Sequence, residues 1–151
     1  MQSESETGLS PVQSRDFRRL AGIMIPASEA FAIPGADDAA IFDDILHSLG
    51  RDRDDVRAAL TRLADLSGGS FAELDPARQE AVAEAFLSGN TPEITTLGRV
   101  VLQCYYRDDR VMRSLGLDPR PPFPKGHTIE QGDWSLLDPV RARPKMWRDA
   151  P

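Results

Sequence analysis

The stretch that decides the fold is Glu93-Ile-Thr-Thr-Leu-Gly-Arg-Val-Val-Leu-Gln-Cys-Tyr-Tyr106. Val100-Val-Leu102 and Cys104-Tyr-Tyr106 leave few polar positions, and a helix that is apolar on most sides is central to its fold. Gly98 inside it costs roughly 1 kcal/mol against Ala, so a closely packed neighbour is the expected reason for it. Adjacent helical residues point about 100° apart, so only one of Tyr105 and Tyr106 belongs in the core. Tyr106 is the candidate to present its ring to a partner.

Shorter amphipathic segments surround this helix. Ser14 is the expected cap of a first helix, with Phe17, Leu20, Ala21 and Met24 on one face, and Pro26 ends it. Pro34-Gly35 is a strong turn dipeptide. Asp37 and Asp38 open a second helix with the stripe Ile41, Phe42, Ile45, Leu46 and Leu49, stopped by Gly50. A third starts near Arg53 and points Val56, Leu60, Leu63 and Leu66 inward, ending at Gly68-Gly69. Phe71 and Leu74 anchor the next connection. Asp75-Pro76 is a cap followed by a first-turn proline, and Val82, Ala85 and Phe86 face inward after it. A short turn over Val111–Leu115 ends at Gly116. Alternating strand-like runs, repeats and a βαβ rhythm are absent. The fold class read from this is all-α: a compact bundle of about five helices with an extended, proline-rich C-terminal arm. The expected organisation is a disordered N-terminus over 1–13, a helical domain over 14–116 and an arm over 117–151.

The arm departs from the rest in composition. Seven of the twelve prolines lie from Pro119 onward, and so do both tryptophans. Proline removes a backbone donor and fixes φ, so this reading predicts neither helix nor central strand there. Disordered tails are poor in large apolar residues, whereas this arm spaces Phe123, Trp134, Leu136, Leu137, Val140, Met146 and Trp147 among its prolines. Such anchors on an extended segment point to a chain that lies along another surface. Aromatic residues and arginine are enriched in interface hot spots. The expected partner interface is therefore Tyr106, Phe123, Trp134, Leu136, Leu137, Arg141, Arg143, Met146, Trp147 and Arg148, with the arginines meeting acids on the partner.

The 151 residues carry a formal net charge of −6, which argues against nucleic acid and anionic membranes as partners. The acidic excess lies before the arm, whose run Arg141–Arg148 holds four basic residues and no acid. No stretch approaches the roughly 20 apolar residues of a membrane span. Arg18-Arg19 precedes an apolar run of about six residues, short of the roughly 7–15 of a secretion signal, so a cytoplasmic location is expected unless a leader has been trimmed for the periplasm.

Candidates for chemistry are few. His47 and His127 come without a zinc motif, and the single cysteine excludes an internal disulfide. Cys104 lies within the most apolar helix, where cysteines are inert packing residues. Gly68-Gly69-Ser70 is a helix stop and not a phosphate loop. Nothing selects two carboxylates from Asp43, Asp44, Asp52, Asp54 and Asp55 as an acid–base pair. No catalytic, cofactor or metal residue is therefore assigned to this chain.

Read in order, Ile23-Met-Ile-Pro26, Pro34-Gly-Ala-Asp-Asp-Ala39, Tyr105-Tyr-Arg-Asp-Asp109, Leu115-Gly116, Arg120-Pro-Pro-Phe-Pro-Lys-Gly126 and Leu136-Leu-Asp-Pro-Val-Arg141 form an ordered set. The chain resembles, over about residues 15–148, the gluconate 2-dehydrogenase subunit 3 family. Those are small subunits of bacterial flavin-dependent alcohol and sugar dehydrogenases of the glucose–methanol–choline oxidoreductase type. The resemblance implies a non-catalytic subunit that supports folding, stability or export of a large partner. FAD and the catalytic base would lie in that partner, with a cytochrome c subunit as a possible third member. Two other classes stand beside it. One is a free-standing helical adaptor that recognises peptides or signalling proteins. The other is a small enzyme using Cys104 or a carboxylate pair.

Overall fold

Most helices of this chain begin at a capping side chain or a first-turn proline, and those starts fix the architecture. The computed structural model describes residues 8–146. Among them are seven α-helices and no strand, beyond one isolated bridge between Ser28 and Ile33. The chain divides into two units, residues up to 119 and residues from 120 onward.

In the first unit, α1 spans Pro11–Met24, α2 Ala39–His47, α3 Arg53–Ser67, α4 Pro76–Leu87, α5 Pro92–Arg107 and α6 Asp109–Ser114. The all-α class is as expected, and the five longest of these helices form the bundle. The central pairing is α3 on α5, with α4 on α3, α2 on α5, and α1 on α3 and α4. Phe17, Phe71, Phe86, Leu63 and Leu97 are fully buried between them.

α1 corrects the expected N-terminus. Ser10, not Ser14, is the cap: its Oγ accepts from Gln13 N at 3.2 Å, while Gln13 Oε1 accepts from Ser10 N at 3.0 Å. Ser10-Pro-Val-Gln13 is a capping box with proline in the first turn. Leu9 before it is buried. Residues 8–13 thus belong with the helical unit, ahead of the boundary placed at residue 14, while residues 1–7 of the expected N-terminal segment lie outside the described residues.

The other boundaries follow cap chemistry. Asp38 caps α2, Asp75 caps α4 and Asp108 caps α6, each through a side-chain oxygen that accepts from amides of the first turn. α3 ends at Gly68 with φ 69°, the left-handed stop that glycine favours. Gly50 is not the cap of α2, which closes at Ser48; it opens a 3-10 turn over Gly50–Asp52. Leu66 and Ala85 are exposed, contrary to the expected stripes, and Ser67 and Ala83 take the inward positions.

α5 is less apolar around its circumference than its sequence implies. Ile94, Leu97, Val100, Val101, Cys104 and Tyr105 are buried, but Leu102 and Tyr106 are exposed. Gly98 is not demanded by a close neighbour either. A β-carbon there would meet only Met24 Cε, at 3.9 Å. Gly98→Ala should therefore stabilise the protein by about 0.5–1 kcal/mol, raising Tm by about 2 °C. Calorimetry that shows a lower Tm would restore the close-packing explanation.

The connection from α1 to α2 is tightly built. Ser28 N donates to Ile33 O at 3.0 Å and Ile33 N to Ser28 O at 3.1 Å, closing a turn in which Ala32 has φ 52°. Ala36 N then returns to Ile25 O at 2.9 Å. Buried Gly35 has no room for a side chain: a β-carbon would lie 2.5 Å from Asp37 Oδ1 and 2.9 Å from Ala27 N. Gly35→Ala should cost about 1.5 kcal/mol, because backbone must move. A urea midpoint unchanged from wild type would contradict this.

The second unit holds a 3-10 turn over Trp134–Leu137 that runs into α7, Asp138–Arg141. This corrects the expectation that the arm excludes helix. Only Pro139 falls in that stretch, and it sits in the first turn of α7, where its missing N–H is not needed. Asp133 Oδ1 caps the turn, accepting from Ser135 N at 2.9 Å and Ser135 Oγ at 2.6 Å. Arg120 Nη2 donates to Gly126 O at 2.6 Å, folding the proline-rich segment on itself.

Candidate partner interface

The residues expected at a partner surface fall in both units. On α5, Tyr106 is 54% exposed, and Leu102 lies one helical turn before it on the same face. Tyr105 is buried, and its hydroxyl donates to Pro34 O at 3.1 Å. Burial pushes the Tyr105 hydroxyl pKa up, so it stays a neutral donor. The two tyrosine rings meet edge-on at 5.3 Å, so the inner ring holds the outer one in place.

In the second unit, Phe123, Trp134, Leu136, Leu137, Val140 and Met146 are all exposed. Phe123 reaches 85% and Met146 79%, values at which an apolar side chain contributes nothing to a core. Arg141 is engaged within its own turn, with Nη1 3.2 Å from Asp138 Oδ1, while Arg143 is exposed. Trp147 and Arg148 lie outside the described residues. The turn Trp134–Arg141 thus presents Trp134, Leu136, Leu137 and Val140 on one capped element.

Two polar clusters were not legible as such. Arg110 reaches both helix caps: Nη2 is 2.7 Å from Asp38 Oδ1 and 3.0 Å from Asp108 Oδ2. The guanidinium holds both carboxyls below the usual carboxylate range, and they raise its own pKa in turn. Both acids therefore stay ionised, which suits capping and not proton donation. Beside them Arg107 forms a two-pronged pair with Asp44, Nε to Oδ2 and Nη2 to Oδ1, each 2.6 Å. The segments Pro34–Ala39 and Tyr105–Asp109 are thus joined in space by Tyr105 and Arg110.

The second cluster is Asp16, on the inward stripe of α1 and 4% exposed. Its Oδ1 accepts from Ser70 Oγ at 2.7 Å and Ala72 N at 2.9 Å. Gln79 continues it, donating to Phe71 O and Ala72 O and accepting from Arg19 Nε at 2.6 Å. An acid one helical turn before Leu20, among core positions, was the available signal.

Cys104 is buried, and that burial raises its thiol pKa, which disfavours the nucleophilic thiolate. His47 Nδ1 lies 2.8 Å from Asp43 O on its own helix. Among the described residues no group of three His, Cys, Asp or Glu could hold a metal ion, and no helix is long and apolar enough to cross a membrane. The fold and surface thus define an all-α protein whose second unit carries a series of exposed apolar side chains. No family model matches the chain, and no curated protein or solved structure matches it either.

Proposed function

We propose that this chain is the non-catalytic small subunit of a flavin-dependent alcohol or sugar dehydrogenase. It stabilises or assembles the large FAD-carrying chain, of the glucose–methanol–choline oxidoreductase type, by laying its C-terminal unit along that chain. The observation that carries the reading is the series of exposed apolar side chains from Phe123 to Met146. Left in water they stabilise nothing, whereas each buried on a partner contributes about 1.5–3 kcal/mol. Proline and the Asp133-capped turn reduce the entropy lost when the segment docks. The resemblance in ordered motifs supplies the identity of the partner. Catalysis and FAD belong to that partner, and a cytochrome c subunit is a further candidate member.

The test is co-expression with the neighbouring large oxidoreductase chain, followed by size-exclusion chromatography read at the flavin bands. The full chain should co-elute with a yellow complex, and the chain truncated after Gly116 should lose co-elution. Full co-elution of the truncated chain would end the arm reading. A colourless, monodisperse chain that ignores the oxidoreductase would instead favour the free-standing adaptor.

A further inference from the structure

We propose that the groove between α1 and α2 is a second binding site, which takes a partner's peptide segment carrying a carboxylate beside a large apolar side chain. This site lies in the helical unit and does not depend on the C-terminal segment or on the identity of its partner. The groove is open and has a volume of about 540 Å³, within the roughly 300–1,000 Å³ of ligand sites. An open groove suits an extended chain better than it encloses a small molecule.

Its floor is apolar, with Leu9, Phe42 and Leu46; its walls carry Arg15 and Arg18 on one side and Asp43 on the other. Two guanidinium groups and one carboxylate line the groove; Glu73, outside the lining, pairs with Arg15, which leaves Arg18 as the cation without a carboxylate partner among the described residues. Asp43 is moreover 3.5 Å from His47 Nδ1, which draws on its charge whenever the imidazole is protonated. Charge therefore selects an anionic occupant.

Arg18 is the better placed of the two cations. Its Nε donates to Asp37 O at 2.9 Å, and its Cζ lies 6.0 Å from the centroid of the Phe42 ring. Phe42 is held in turn by Phe17, edge-on at 5.6 Å. These contacts restrain the guanidinium beside the Phe42 ring. Its two terminal nitrogens have no hydrogen-bond partner among the described residues. A planar fork held by Nε and a ring face, with its outer donors unused, matches a carboxylate in a two-pronged pair. Arg15 lies one turn before it and meets only exposed Glu73, at 3.2 Å. An exposed pair of this kind is worth little, so Arg15 can turn to an incoming anion.

The probes are the peptide acetyl-Ala-Leu-Glu-Leu-Ala-amide, the same peptide with Gln for Glu, and N-acetyl-leucine as a small carboxylate. Each is titrated into the full chain and followed by amide and arginine Nε–H nuclear magnetic resonance. The Glu peptide should shift resonances of α1 and α2 around the groove and bind at least tenfold tighter than the Gln peptide. Arg18→Gln should abolish that discrimination, and Arg15→Gln should reduce it without disturbing the Asp37 contact. Leu46→Ala should weaken both peptides by similar factors. Equal binding of the Glu and Gln peptides, shifts centred elsewhere, or N-acetyl-leucine binding as tightly as the Glu peptide would overturn the proposal.

Discussion

Asp16→Ala should lower the unfolding free energy by about 3 kcal/mol. The side chain is nearly inaccessible, and one oxygen receives both the Ser70 hydroxyl and the Ala72 amide. Hydrogen bonds to a charged acceptor contribute about 1.5–3 kcal/mol each, and an abandoned donor adds its own desolvation cost. Alanine offers no acceptor, so the Ala72 N–H loses its partner in a partly buried site. The damage reaches the core, because Ser70 and Ala72 bracket Phe71, whose ring is fully buried. Asp16→Asn keeps an acceptor of the same shape and should cost about 1 kcal/mol, isolating the contribution of charge. Urea denaturation of the three proteins checks both values. An Asp16→Ala midpoint within experimental error of wild type would mean that water replaces the carboxylate, and that the network is not structural.

Asp16 also marks the limit of what the sequence discloses. Helix boundaries were legible where they rest on local chemistry. Asp75-Pro76 starts α4 and Gly68-Gly69 ends α3 because capping and left-handed backbone are decided within a few residues. Inward faces were legible where the stripe is apolar throughout, as over Ile41, Phe42 and Ile45. They were misread where a polar residue belongs to the stripe. On α4 the inward line runs Gln79, Ala83, Phe86, and a buried glutamine hides that phase. On α3, Ser67 takes the inward place expected of Leu66, its hydroxyl satisfied by Leu63 O at 2.7 Å. A buried polar group is tolerated only when it finds a hydrogen-bond partner, and the sequence alone does not show which polar residues find one, whether on their own helix, as Ser67 does, or far along the chain, as Asp16 does.

The exposed apolar residues of the second unit were legible for a different reason. Phe123, Trp134, Leu136, Leu137 and Met146 stand out because proline separates them from any helical core, and all are exposed. What stayed hidden was their local order. Proline content over the whole arm concealed a stretch, Trp134–Arg141, with one proline at a tolerated position and an aspartate cap. The α1–α2 groove was hidden altogether, since Phe42 and Leu46 of its floor and its two arginines come from segments more than twenty residues apart.

Arg110→Ala should cost about 2 kcal/mol at neutral pH, and the loss should vanish in acid. The guanidinium contacts Asp38 and Asp108, the caps of α2 and α6, across 72 residues of chain in the first case. Its own partial exposure moderates the effect, because solvent and salt screen the pairs. Removal leaves both carboxylates ionised without their shared cation. Both carboxyls are depressed below their ordinary value of 3.8, first by the hydrogen bonds from Arg110. A depressed folded-state pKa contributes stability that is present above the unfolded value and lost as pH falls through the folded one. The difference between wild type and Arg110→Ala should therefore be full well above the ordinary value of 3.8 and shrink as pH falls below it, through the depressed folded-state values. Arg110→Lys should recover only part of it, since an ammonium cannot place a planar fork on two acids. The check is a series of denaturation curves from pH 7 to pH 2.5, repeated in 1 M salt, where the difference should narrow. A loss that stays constant across that range would assign the role of Arg110 to the packing of its aliphatic stem. The joining of Pro34–Ala39 to Tyr105–Asp109 would then rest on the Tyr105 hydroxyl alone.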